Sequence, residues 1–518
     1  MSNEILSKGF AALLMSAVFA WVVFDRYDTD TGSENTDPGR QRYLPYVPGS
    51  LLPLFLISIA VISLFCFGGQ KAAHLTLSMC FGIFLHISLY YLVLLLTLPL
   101  FRRHFSARAC AILWMIPNYL YITEQNYMKL PMPLIIIQAP GRLVWILFTI
   151  WLLGFVAVLG FHIFSHLVFR FRILKDAAIV SDPAVLALWE EEIELAAFKN
   201  PRFQLMTSPH VAAPLSIGLF RRKIRVVLPD RAYSPDELAL IFRHEIVHIG
   251  REDSWSKFFL LFCTAMCWFN PLMWTAMQKS ADDMELSCDE TVLIHTDDTT
   301  RRRYANLLLK TAGDAHGFTT CLSASAASMR YRLKNVVKPP KKHSGALIVG
   351  IVFFLLCMSC GYVALAYGGG TGAELIYQSR DSSRFRLRYI TRNYTTREED
   401  LRCADEASFH AYMASLKMNH LTGNYSFNDS QREEFFLYDT PEGTLAVILY
   451  DEVLKLAPIG EKSSASKSEY YYLPDGTDWA YLDTLIVPNP ALKLHIQEPG
   501  NTSEITITAN LVRLEQTE

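Results

Sequence analysis

Charge is what this sequence has least of. Only 19% of its residues are Asp, Glu, Lys or Arg, against about 25% in a soluble globular domain. Neither sign dominates: the formal net charge is -2, so nothing global points to nucleic acid or to an acidic substrate. Cysteine is scarce where a secreted fold would need it. Of 10 cysteines a single one, Cys403, falls in the polar C-terminal stretch, so no disulfide framework holds that stretch together. Internal repeats and long low-complexity tracts are missing too. What abounds is apolar: 51% of 518 residues, gathered in long blocks. That excludes a wholly soluble enzyme and a disordered chain, and the length exceeds what one domain needs.

A bilayer span takes about 20 mostly apolar residues. Gly9–Phe24, Leu51–Gly68, Leu75–Phe101, Leu143–Phe169 and Ala346–Tyr367 meet that requirement. Ala109–Ile122, interrupted by Pro117 and Asn118, reads as a weaker span extending toward Leu130. No small-residue cleavage site follows the first block, so it reads as an uncleaved span. Arg102, Arg103 and Arg108, then Arg170, Arg172 and Lys175, then the cluster Arg330–Lys342, mark cytoplasmic flanks. The sequence thus predicts a membrane region 1–169 with about five spans, a cytoplasmic domain 170–343, a last transmembrane helix within 344–367, and an external domain 368–518. The run Gly368–Gly372 reads as a flexible linker to that last domain. There Phe385–Ile390, Glu434–Leu437, Leu445–Tyr450 and Glu469–Leu473 alternate as strands, and Asp405–Lys417 has helical spacing, giving an α+β domain.

The informative stretch is Ser234-Pro235-Asp236-Glu237, followed by His244-Glu245-Ile246-Val247-His248. Ser234 and Glu237 form a capping box with Pro235 at the first helical position. His244 and His248 then share a helix face at i and i+4, where two imidazoles can grip one Zn²⁺, and Glu245 is placed as general base. With 14 His and 50 acidic residues, chance supplies about 0.04 such patterns in a chain of this length. Glu285 and Asp289 share a face of a later helix. Glu285 can complete three protein ligands, and Asp289 can accept the remaining N–H of a ligand histidine. The apolar stretch Phe258–Met277 lies between the two segments. A crossing there would put Glu285 on the opposite side of the membrane from His244, so it must fold back as a helical hairpin.

These residues resemble the BlaR/MecR-type membrane metallopeptidases, gluzincins that act as antirepressors in antibiotic-resistance signalling. The likeness runs over roughly Leu92–Lys342. It includes Pro214–Gly218 with Ile224–Pro229 as a strand pair, His248–Asp253, Trp268-Phe269-Asn270-Pro271 and Glu285–Asp289. The resemblance implies His244, His248 and Glu285 as zinc ligands, Glu245 as the base, Asp289 as a supporting carboxylate, and a winged-helix repressor as cytosolic partner. Asp253 matches the motif without an assigned role. The likeness stops near Lys342, and the acylating motifs of penicillin-binding sensors are missing from the external block. Ser464–Lys467 and Ser254–Lys257 match SxxK with no KTG after either.

The reading is an integral-membrane zinc metalloendopeptidase, with one Zn²⁺ per chain, that transduces an external signal by cleaving itself, a cytosolic repressor, or both. It has an unidentified external ligand and no direct contact with nucleic acid. The small-residue segment Cys321–Met329 reads as an extended, mobile stretch, either a plain linker or the self-cleavage site that the resemblance implies in this interval. Two rivals remain. One is a housekeeping CAAX-type or quality-control membrane metalloprotease. The other is a non-enzymatic receptor with a structural zinc site, against which Glu245 argues. The acidic helix Leu186–Phe198, with Glu190, Glu191, Glu192 and Glu194, reads as a solvated face.

Overall fold

A computed structural model describes residues 2–30, 47–123, 133–196, 198, 203–294, 296–313, 326–340, 342–392, 399–423, 432–440, 443–459 and 468–488. The chain divides into two units. The first is Met1–Thr76 with Gly82–Met128 and Thr149–Cys360, and the second is Leu77–Phe81 with Lys129–Phe148 and Gly361–Glu518.

Among the described residues, three helices are long and apolar enough to cross a membrane: Leu6–Val23, Lys71–His104 and Gly141–Lys175. Leu51–Cys66 and Ala346–Ser359 are shorter apolar helices. Along Gly141–Lys175 large side chains such as Leu153, Phe161, Phe164 and Phe171 are exposed, as lipid-facing residues are. Two of the predicted spans differ. Ala109–Ile122 falls within three short pieces, Ala107–Leu113, Ile116–Tyr119 and Leu120–Thr123. Every residue of Ala107–Leu113 is buried, because the segment packs on the helix Pro271–Val292. The span predicted to reach Tyr367 stops at Ser359, and Val363–Thr371 is a strand.

In the first unit, a four-stranded sheet runs in the order Ala178–Ile179, Gln204–Ser208, Arg225–Pro229, Leu215–Ile217. The predicted strand pair forms, with Leu215 opposite Val227. Against it lie Trp189 and the apolar face of the helix Pro235–Arg251, with Phe242 and Val247 in the core. Both hydrogen bonds of the Ser234/Glu237 capping box are made. The acidic helix, Pro183–Leu195, is not wholly solvated. Glu192 is buried and holds Arg243, the residue before His244, through two bonds of 2.8 and 3.1 Å. A buried carboxylate needs such a partner, and the pair fixes one helix on the other.

The apolar stretch Phe258–Met277 does fold back. The helix Asp253–Met266 ends, and Asn270 caps the next, Pro271–Val292, by accepting from the Leu272 N–H at 3.1 Å. The turn is pinned to the long helix Gly141–Lys175. Trp151 Nε1 donates to the Met266 carbonyl at 2.7 Å, and Trp268 Nε1 donates to the Trp151 carbonyl at 3.3 Å. A Cβ at Gly154 would stand 2.2 Å from the Trp268 ring, so the indole occupies the space that this glycine leaves.

The second unit is built on a ten-stranded sheet. Its order is Ile135–Ala139, Val363–Thr371, Lys417–Leu421, Glu469–Tyr472, Val453–Ile459, Gly443–Leu449, Glu434–Thr440, Arg386–Arg392, Glu399–Cys403, Ile486–Pro488. The predicted strands and helix are present, so this region is sheet-rich as expected. The helices Glu406–Ser415 and Trp479–Leu485 supply Phe409, Met413 and Leu482 to a core with Phe436, Val447 and Tyr471. Phe435, Leu437, Ala446 and Ile448 form a separate cluster, as the two-residue period of a strand requires.

The predicted flexible linker is instead part of this sheet. Gly369 pairs with Asn419 beside a bulge at Gly368, whose φ is 44°. A Cβ on Gly369 would stand 1.9 Å from the Met418 carbonyl oxygen, so the glycines are there for close backbone approach rather than for slack. Gly369→Ala is therefore expected to destabilise this strand pair by about 1–3 kcal/mol. Amide exchange of the full chain checks it: residues 363–371 and 417–421 should exchange faster. Gly160→Ala, which meets nothing within 4 Å, should leave their protection unchanged.

Candidate metal centre

The helix Pro235–Arg251 brings His244 and His248 to one face, with the two Nε2 atoms 3.2 Å apart. The hairpin returns Glu285 to the same place. Its Oε2 lies 3.6 Å from each of those nitrogens. A tetrahedral ion with ligands at about 2.0–2.2 Å spaces its donors about 3.3–3.6 Å apart. The three donors therefore fit one divalent ion of the zinc class. Glu245 sits between the two histidines in sequence and is buried, 5% exposed.

The outward nitrogen of each ring is held by the protein. Glu252 ends the motif helix in the left-handed region, at φ 57°, and the next helix begins at once with Asp253. That turn brings Asp253 Oδ2 to 2.6 Å from His248 Nδ1. Tyr304, on the helix Asp298–Gly313, stands 2.8 Å from His244 Nδ1 and donates its hydroxyl proton to Asp289 Oδ1 at 2.7 Å. The phenol oxygen thus accepts the ring N–H of His244. Asp289 is itself 3.8 Å from that nitrogen, so it reaches the ring through Tyr304 rather than directly. Both Nδ1 atoms act as donors in this arrangement, so it is the Nε2 atoms that face Glu285 and that can take an ion once they give up their protons. Such supports fix ring orientation and raise ligand basicity.

Asp289 is 1% exposed and would be costly to bury alone. Arg332, on the helix Ala326–Val337, satisfies it with two bonds of 2.7 and 2.8 Å. The third guanidinium nitrogen lies 3.5 Å from Glu285 Oε2, and Lys257 lies 3.6 Å from Oε1. Residues 326–329 of the predicted extended segment are therefore helical, because Ser328 bonds Asp282 at 2.7 Å and Arg332 is drawn in by Asp289. Residues 321–325 lie outside the described residues, as does Ser464–Lys467.

One further donor is close. His244, His248 and Cys288 also form a group whose ligand atoms lie within 4.8 Å of one another. Cys288 Sγ, however, is 3.3 Å from His244 Nδ1, the nitrogen already held by Tyr304. An ion bound through both Nε2 atoms finds Glu285 at the proper spacing instead. Charges in this cluster are strongly linked. Burial alone would lower His244, yet Cys288 and Glu285 outweigh it and hold the imidazole up at about 10. Burial would raise Glu285, but the His248 charge and hydrogen bonds from both rings pull it well below the usual carboxylate range. Burial would likewise raise Cys288, and the same two histidines hold its thiol below its ordinary value.

A metal takes only neutral imidazole. Raised histidine values therefore mean that cation uptake near pH 7 releases protons and that affinity grows as pH rises toward about 10. With Co²⁺ as the probe, an indicator dye should record that release. The absorption spectrum should lack an intense thiolate-to-cobalt band, and Cys288→Ser should leave the stoichiometry at one ion. A strong thiolate band lost in Cys288→Ser would make the thiol a ligand.

Comparison with known proteins bears on the region that holds this centre. Residues 122–336 match the family described as BlaR1 peptidase M56, an interval that contains every side chain of the centre. The chain is 26% identical over 345 residues to the regulatory protein BlaR1 of Bacillus licheniformis. The match covers 64% of this chain and 53% of that protein, so the chain spans about half the length of this relative. In its peptidase region, residues 122–336, the chain is thus similar to the BlaR/MecR-type membrane metallopeptidases.

Proposed function

We propose that this chain is an integral-membrane zinc metalloendopeptidase. It would convert an event at its C-terminal unit into cleavage of a cytosolic repressor, of itself, or of both. The observation that carries the reading is the convergence of His244 Nε2, His248 Nε2 and Glu285 Oε2 at mutual distances of 3.2 and 3.6 Å, with Glu245 between the histidines. Zinc, when bound, supplies a Lewis acid for the scissile carbonyl and the attacking water. Glu245 takes the proton from that water and delivers it to the leaving amine. His244 and His248 keep their Nδ1 protons on Tyr304 and Asp253, so neither ring can rotate out of place during turnover.

Leu215–Ile217 is the last strand of its sheet among the described residues, and a small hollow lined by Ser216, Gly218, Leu219, His248 and Ser254 joins it to the histidine side of the centre. An extended substrate can add there as a further strand, which favours cleavage within a chain over removal of its terminal residues. The repressor, expected to be a winged-helix protein, is the partner that the family resemblance implies.

Sidedness has support within each unit. Arg102, at the end of a long apolar helix, bonds Asp283 at 2.8 Å, which ties the basic loop after that helix to the peptidase side. Ile135–Ala139 shares a sheet with Val363–Thr371, so the segment before Gly141 and the segment after Cys360 lie on one side. With the Arg/Lys-rich flanks inside, the peptidase centre is cytoplasmic and the ten-stranded sheet is external. It is the surface on which we place an unidentified stimulus.

Glu245→Gln should keep one zinc per chain and lose peptide cleavage by about 10²–10⁴-fold. Comparing protein levels in cells carrying wild type or Glu245→Gln identifies the substrate. One stabilised repressor supports signalling, many stabilised membrane proteins support quality control, and full activity in the variant removes the mechanism. For topology, an epitope inserted at the exposed Asp475 should bind antibody on intact cells. One inserted after Asp297 should bind only after permeabilisation. The reverse result would place the peptidase outside.

A further inference from the structure

The helix Ala326–Val337 stands apart from the sequence motif, and it follows residues 314–325, which lie outside the described residues. It nevertheless reaches the centre. Arg332 is 7% exposed and uses two nitrogens on Asp289 and a third toward Glu285. Asp289 in turn holds Tyr304, and Tyr304 holds the Nδ1 proton of His244. One guanidinium thus faces two of the three proposed zinc ligands, one through space and one through a two-residue relay.

The placement of that helix is fixed by its neighbours. Ser328 bonds Asp282 on the Glu285 helix at 2.7 Å, and the Tyr331 ring lies under Arg102 at 5.7 Å. Arg301 approaches the Val336 carbonyl. Beyond it, His343 is clamped to the end of the long apolar helix: its N–H donates to the His104 carbonyl at 3.0 Å, and its carbonyl accepts from the Ser106 N–H at 2.9 Å. Three residues later the apolar helix Ala346–Ser359 begins. A support of the metal centre is therefore supplied from the chain that leads into the last apolar helix.

We infer that Arg332 is a positioning residue of the metal centre, acting on His244 through Asp289 and Tyr304 and on Glu285 directly. The inference rests on the zinc reading above. A guanidinium suits the task because its planar fork binds both oxygens of Asp289 while a third nitrogen remains for Glu285, a geometry that an ammonium cannot copy. Loss of such a supporting partner typically lowers metal affinity by about 10–100-fold.

The test uses the full chain in lipid nanodiscs. Zinc dissociation constants are measured by chelator competition, and ligand geometry is read from the visible spectrum of the Co²⁺ form. Arg332→Met should weaken zinc by about 10–100-fold and change the cobalt spectrum. Tyr304→Phe should produce a change of the same kind, and Arg332→Lys should recover affinity only in part. Arg332→Met with wild-type affinity and an unaltered spectrum would overturn the inference. If Arg332→Met fails to fold, the double variant Arg332→Met/Asp289→Asn removes the stranded charge. Folded protein with weak zinc then supports positioning, whereas folded protein with wild-type zinc affinity overturns it. Wild-type protein that takes up no zinc would instead refute the functional reading beneath it.

Discussion

The buried acidic face of the helix Pro271–Val292 sets the terms for the first unit. Asp283 and Asp289 are almost wholly inaccessible, and carboxylates so placed are tolerated only with compensating partners. Asp283 takes Arg102 and the Trp114 indole, Asp289 takes Arg332 and Tyr304, and Glu290 accepts the Ala107 backbone N–H. Each demand draws in a different part of the chain. The end of a long apolar helix, a short buried helix and two later helices are all fixed relative to one helix. Glu285 sits on that helix with His244 and His248 as neighbours, so the candidate centre inherits its rigidity from the surrounding ion pairs.

The local parts of this arrangement were open to reading from sequence. The capping box marks where the motif helix begins, and i, i+4 spacing puts two imidazoles on one face. The need for one metal site to lie on one side of a membrane already requires Phe258–Met277 to turn back. The non-local parts carried no comparable signal. Tyr304 lies in an ordinary amphipathic helix. Arg332 sits in a basic cluster that reads as an orientation signal, and only the fold reveals that its side chain turns inward. Glu192, among four acids in five residues, looks solvated until Arg243 is seen beside it.

The second unit repeats the lesson with strands. Alternation identified segments of the antiparallel sheet, since a strand records its own two faces. Nothing in Ile135–Ala139 announces that it pairs with Val363–Thr371, because the partner lies more than two hundred residues away in sequence. The glycine run was legible as an exception to side-chain packing, but linker and close backbone approach ask for the same residue. Only the Met418 carbonyl, standing where a Cβ would go, separates the two.

That parallel pair also bears on how such a protein can be rebuilt or recombined. A sheet that takes one strand from residues 135–139 and the others from residues 363–488 is discontinuous in the gene. Exchange at a single junction after the last apolar helix would leave Ile135–Ala139 without its partner and expose the edge of Val363–Thr371, a template for unwanted association. A chimaera that grafts a new receptor module onto this peptidase must therefore exchange two segments together, or else supply a replacement edge.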